Sequence, residues 1–168
     1  MIISVYDQSI ARMRHMLQNL DNIVSKAETY AEANDIEPSA LLRARLFPSM
    51  GDFIFQVQVA TDMAKSCAAR LSDTEVPQWS DDEETFADIH ARIKKALDYI
   101  ATFRPEQFEG CETLKLELKL GSHTVKFTGQ SYLLGFVLPN FYFHMTTAYN
   151  LLRHSGLDLG KRDFIGEL

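Results

Sequence analysis

Tyr6, Ile10, Met13, Leu17, Leu20, Val24, Ala27 and Ala31 recur at alternating steps of four and three. At about 3.6 residues per turn, that spacing draws one unbroken apolar stripe down one side of a helix. A stripe this long cannot be covered by a loop or a short strand. It needs helices of similar length beside it, and a bundle is the arrangement that supplies them. The spacing predicts a first helix from about Ser4 to Ala33, broken by Asn34-Asp35.

The pattern returns twice more. Pro38 suits the first position of a short helical turn through Leu41 and Leu42, which Pro48 closes. Phe53, Val57, Ala60, Ala64, Cys67 and Leu71 then mark a second long helix from about Met50 to Leu71, with small residues that permit close approach of a neighbour. Ser72 to Gln78 is a polar connector. Ser80-Asp81-Asp82-Glu83 fits a capping box, so a third helix is expected from Asp81 to about Phe103, its inward face formed by Phe86, Ile89 or His90, Ile93, Leu97 and Ile100 and its end set by Pro105.

The period then changes to two. Leucines alternate with polar residues from Thr113 to Leu120, Gly121-Ser122 fits a two-residue turn, and His123 to Phe127 returns with the same alternation. A lone hairpin is marginal in water, so its leucine face must rest on the helices. Thr128 can cap a last helical region from about Gly129 to Ser155, in which Pro139 should introduce a break or kink and Gly156 a left-handed cap. Phe164 and Ile165 are expected to dock the tail that runs from Leu157 to Leu168.

The 168 residues are 46% hydrophobic and 24% charged, enough apolar surface for one continuous core and too much for a disordered chain. A single domain over residues 1–168 follows. The net charge is −6 and the basic residues are scattered, which argues against a nucleic-acid partner. The start of the chain has no basic stretch leading into an apolar one. The longest apolar run, Tyr132 to Phe143, is interrupted at Gly135, Pro139 and Asn140 and falls short of the roughly 20 residues that span a bilayer. A cytoplasmic protein with no membrane partner is expected. Cys67 lies on an apolar stripe and reads as core, and Cys111 reads as an exposed loop residue; two distant thiols suggest neither a disulfide framework nor a zinc ribbon.

Chemistry concentrates in Leu138 to Tyr149. Asn140, His144 and Thr147 share one helical face, and His144 sits between apolar Phe141, Met145 and Ala148. A partly buried imidazole needs a hydrogen-bond partner or a metal, so His144 is either a bonded core histidine or a metal ligand or acid–base group. On the second helix Gln58 and Asp62 share a face, whereas Gln56 points elsewhere. They are orienting groups for a site or rim residues paired across helices. His15 is expected to be exposed, and His90, beside the third helix's stripe, to lie in the core or at its boundary. No two histidines are spaced for a local metal pair. Phe141, Tyr142, Phe143 and Tyr149 either line a pocket or pack the core.

Several stretches resemble a known family: Leu42-x-Ala44-Arg45-Leu46, Gly129-Gln130-x-Tyr132-Leu133-Leu134, Leu138 through His144, Leu151-Leu152-Arg153 and Gly160-Lys161-Arg162-Asp163-Phe164. With four long helices and an insertion before the fourth, the chain is similar to the DinB/YfiT-like four-helix bundles. Within them it most resembles a bacterial branch of domain-of-unknown-function proteins. The resemblance implies a mainly α fold with a small β-hairpin before the fourth helix. In the wider superfamily three histidines bind a divalent metal, and members include metal-dependent hydrolases and thiol transferases. His144 matches the second histidine of the fourth helix, Asn140 stands where the first would be, and Gln58 stands near the second-helix position. One imidazole and two neutral amides make a weak transition-metal site, so loss of the metal is favoured over recruitment of Asp62.

Three readings follow. The first is a bundle that binds a small ligand through Gln58, Asp62, Asn140 and His144, without an intact metal centre, as a single chain or as a homodimer. The second is a metal-dependent hydrolase or thiol transferase using His144. The third is an interaction protein that uses the hairpin edge or the aromatic surface.

Overall fold

Ile10, Met13, Leu17, Leu20, Val24, Ala27 and Ala31, the stripe of the first helix, are all at most 2% exposed. The computed structural model describes residues 4–167, apart from the side chain of Leu120. Met1–Ile3 and Leu168, where part of the reading of the chain start and the end of the tail falls, lie outside the described residues. The first helix opens with a π-helical turn, Asp7–Ala11, and continues as α1, Arg12–Ala33. The short α2 (Pro38–Leu42), α3 (Phe53–Leu71) and α4 (Phe86–Ile100) follow. After two 3₁₀ turns, Pro105–Phe108 and Cys111–Thr113, come strands β1 (Lys115–Leu120) and β2 (His123–Thr128). The last helical region comprises α5 (Gly129–Tyr132), a π-helical turn (Leu133–Val137) and α6 (Leu138–His154), with α7 (Lys161–Ile165) near the end. The protein is mainly helical, with one antiparallel hairpin. The long helices pack in a closed cycle: α1 on α4, α4 on α3, α3 on α6, and α6 on α1. Among the described residues no helix is long and apolar enough to cross a membrane.

α3 begins where Asp52, itself 6% exposed, accepts the backbone N–H of Phe55 at 3.0 Å. Its expected stripe of Phe53, Val57, Ala60, Ala64, Cys67 and Leu71 is buried throughout. α4 starts later than the sequence suggests. Its cap is Thr85, whose hydroxyl accepts the N–H of Asp88 at 3.1 Å while the Asp88 carboxylate accepts the N–H of Thr85 at 2.9 Å. The Thr85 hydroxyl also donates to that carboxylate at 2.7 Å, and this bond, with those from the Glu84 and Thr85 N–H groups, holds the Asp88 carboxyl below its ordinary pKa. Ser80-x-x-Glu83 does not cap because Arg92, 3% exposed, takes those groups for itself. It donates to the Ser80 carbonyl at 2.7 Å, to Asp81 and Glu83 at 2.9 Å each, to Asp62 at 2.9 Å and to Thr61 at 3.0 Å. A buried guanidinium is tolerated only when such acceptors surround it, and supplying them keeps residues 80–83 out of the helix. α4 also ends before Pro105, which opens a 3₁₀ turn instead.

The hairpin pairs Leu116 with Phe127 and Leu118 with Val125, and Gly121 takes φ +59° in the turn. β1 begins at Lys115 rather than Thr113 because Cys111–Thr113 forms a 3₁₀ turn. Its apolar face rests on the last helical region, where the Phe127 ring lies 5.9 Å from Tyr132 and 5.7 Å from Phe136. Cys111, expected to be exposed, is 6% exposed. The helical backbone continues through Pro139 rather than breaking there. The chain stays in the right-handed helical region through Leu133 and Leu138, and a π turn immediately precedes the proline. Proline cannot donate to the carbonyl four residues back, and the wider turn absorbs that loss. Gly156 closes α6 at φ +103°. α7 docks on α1: the Ile165 carbonyl accepts from His15 Nε2 at 2.6 Å, the Phe164 carbonyl accepts from Asn19 at 3.2 Å, and Lys26 pairs with Asp163. His15, expected to be exposed, is thus engaged in holding the tail.

Candidate ligand site at His144

α3 and α6 pack side by side, and the polar group they bring together is His144 with Gln56, not His144 with Gln58. Gln56 is 2% exposed. It lies three residues after Phe53 and four before Ala60, inside the apolar face of α3 rather than beside it. His144 Nδ1 lies 2.7 Å from Gln56 Oε1, and Gln56 Nε2 donates to the Gly51 carbonyl at 2.8 Å. The Gly51 carbonyl can only accept, so the amide NH₂ must face it and Oε1 must face the ring. His144 Nδ1 therefore carries the proton and donates, and Nε2 is left as an unprotonated acceptor. Among the described residues no group lies within hydrogen-bond distance of Nε2.

The imidazole is half-buried, and burial pulls its pKa below the ordinary value of 6.5. Two exposed rings flank it edge-on: Phe143, with centroids 5.2 Å apart, and Phe55, at 6.0 Å. Gly51 makes room for one of them, since a Cβ at that position would overlap the Phe55 ring. The arrangement offers a neutral acceptor between two aromatic faces, positioned by a buried amide. It suits a molecule that presents an N–H or O–H donor next to a flat apolar body.

The other residues singled out from the sequence lie apart from this pair. Gln58 donates to Glu83 at 2.7 Å. Asp62 is held by Arg92 at 2.9 Å and Lys65 at 2.7 Å. Asn140 donates to the Phe136 carbonyl of its own helix at 2.6 Å, and Thr147 to the Phe143 carbonyl at 2.7 Å. Gln58, Arg43, Arg45 and Asp52 do share a polar cleft with Asp81 to Glu84. There Arg43 and Arg45 lie 3.3 and 3.6 Å from Asp52. Among the remaining histidines, His90 Nδ1 lies 2.5 Å from Asp21 on α1.

The metal implied by the resemblance does not fit these donors. Neutral amides bind transition metals poorly, the one imidazole has an amide on its Nδ1, and Asp62 is occupied by two cations. Among the described residues no group of three or more His, Cys, Asp or Glu side chains is placed to hold a metal ion.

The profile of a family described as a domain of unknown function, DUF1993, matches residues 5–165. No curated protein matches the chain. A crystal structure of a DinB family member protein from Shewanella denitrificans superposes with a TM-score of 0.89 at 34% identity, covering 98% of this chain and 93% of that one.

Proposed function

The chain belongs to the DUF1993 family of DinB-like domains, and on that premise we propose that it is a cytoplasmic DinB/YfiT-type four-helix bundle that binds a small molecule at His144 without a three-histidine metal centre. The supporting observation is the relay from Gly51 through Gln56 to His144, which leaves Nε2 as an open acceptor between Phe55 and Phe143. A buried glutamine costs stability unless bonded at both ends, and this one is bonded at both ends so as to fix one tautomer of one ring. The ligand class is a flat molecule with an N–H or O–H donor, such as a phenol or an indole. Gln58, Asp62 and Asn140 contribute to the polar surroundings rather than to the contact itself. Pairing of two copies is part of the reading, because Leu46, Phe47, Phe55 and Phe143 are all more than 40% exposed.

The test is a thermal-shift screen of phenols and indoles, with metal analysis of the purified chain and light scattering for the mass in solution. A hit should weaken roughly tenfold in His144→Ala, the loss of about one hydrogen bond. Stoichiometric zinc, nickel or manganese that disappears in His144→Ala would favour the metal-dependent hydrolase or thiol-transferase alternative and overturn this one.

A further inference from the structure

Two helices of this protein carry π-helical turns, Asp7–Ala11 and Leu133–Val137, and both turns contact α3. Such turns are rare and cluster at functional positions, because the extra residue widens the helix and re-aims the side chains beside it. Between the two, with the turns around Phe108 as a third wall, lies a cleft of about 550 Å³, within the range of small-molecule sites. Its floor and walls are apolar: Val5, Tyr6, Phe108, Leu133 and Leu134. Leu134 is 54% exposed there. Among the described residues, the charged groups lining the cleft are Glu109 and Glu112. Neither makes an ion pair among the described residues. The negative charge of Glu112 also helps burial push the Cys111 thiol up.

We propose that this cleft is a second site, separate from His144, for a small amphipathic amine whose apolar body lies against Leu133 and Phe108 and whose ammonium meets Glu109 and Glu112. An anion is disfavoured by two carboxylates with no cation among the described residues lining the cleft, and a neutral molecule leaves that field unused. The site shares no residue with the Gln56–His144 pair or its flanking rings.

Tryptamine, tryptophol and indole-acetate carry the same ring with an ammonium, a hydroxyl and a carboxylate. Titrated into the full chain and followed by amide chemical shifts, tryptamine should bind saturably, with the shifts centred on Val5, Leu133 and Leu134. Judged by the shifts at the cleft alone, it should bind there about fivefold tighter than tryptophol, the worth of an exposed ion pair, and indole-acetate should bind weakest. The double variant Glu109→Gln, Glu112→Gln should bring tryptamine to the level of tryptophol at an unchanged melting temperature, and His144→Ala should leave the cleft's preference intact. Equal binding of all three, no saturable shifts at the cleft, or an amine preference that survives the double variant would each overturn the proposal.

Discussion

His144 stands out in the sequence because an imidazole among Phe141, Met145 and Ala148 has to find a polar neighbour. Which neighbour it finds was not legible. Gln56 and Gln58 differ by two residues, hence by about 200° around a helix, and the stripe drawn through Phe53 and Val57 left Gln56 off its axis although it too faces inward. Burial of His144 has a consequence for stability against pH. Its folded pKa lies below 6.5, so as the pH falls the unfolded chain takes up the proton first. Stability is therefore unaffected well above 6.5 and declines as the pH falls through 6.5 toward the folded pKa. Denaturant midpoints across that range should fall more steeply for the wild type than for His144→Gln; parallel curves would refute the assignment. Arg92 is the other residue whose role is set by burial. Arg92→Met should lose about 3 kcal/mol, because Glu83 remains buried without its cation. The same change should alter the emission of Trp79, the only tryptophan, whose ring lies 5.5 Å from the guanidinium and 4.4 Å from Lys65. Cys67 and Cys111 are buried, with thiols pushed up in pKa by that burial. Neither should react with a thiol reagent in the native protein at neutral pH, and rapid labelling of either would contradict their placement.

At the scale of elements, the long helices were readable because each repeats one apolar face over several turns, and a repeated signal survives local exceptions. Their starts were readable only where no tertiary demand intervened. Thr128 caps α5 as its sequence suggests, accepting the N–H of Ser131 at 3.2 Å. Ser80 has an equally good pattern, but Arg92 lies twelve residues away in sequence and claims its carbonyl. The two candidate caps of α4 therefore separate in a direct comparison. Thr85→Ala should cost about 1 kcal/mol and Ser80→Ala a few tenths, read from urea midpoints, and the reverse order would restore the longer helix. Pro139 illustrates a different limit. A proline inside a helix announces a lost hydrogen bond, yet a π turn before it can absorb that loss while the chain stays helical, and no residue pattern in Leu133 to Val137 marks such a turn.

For the whole molecule, the cycle of α1, α4, α3 and α6 buries the helical stripes that the sequence displays, all but their half-buried members Tyr6 and Leu97, and the hairpin finds its support on Tyr132 and Phe136. That arrangement brings the first turn of α3 against α6, and it is why one inward glutamine can fix one imidazole across two helices. The account depends on that contact and on the open nitrogen it leaves. The nitrogen chemical shifts of the His144 ring, assigned by comparison with His144→Gln, test it directly. The expected result is a protonated Nδ1 and a pyridine-like Nε2 whose shift stays in place when one equivalent of zinc is added. A proton on Nε2, or a metal-bound shift at equimolar zinc, would contradict it.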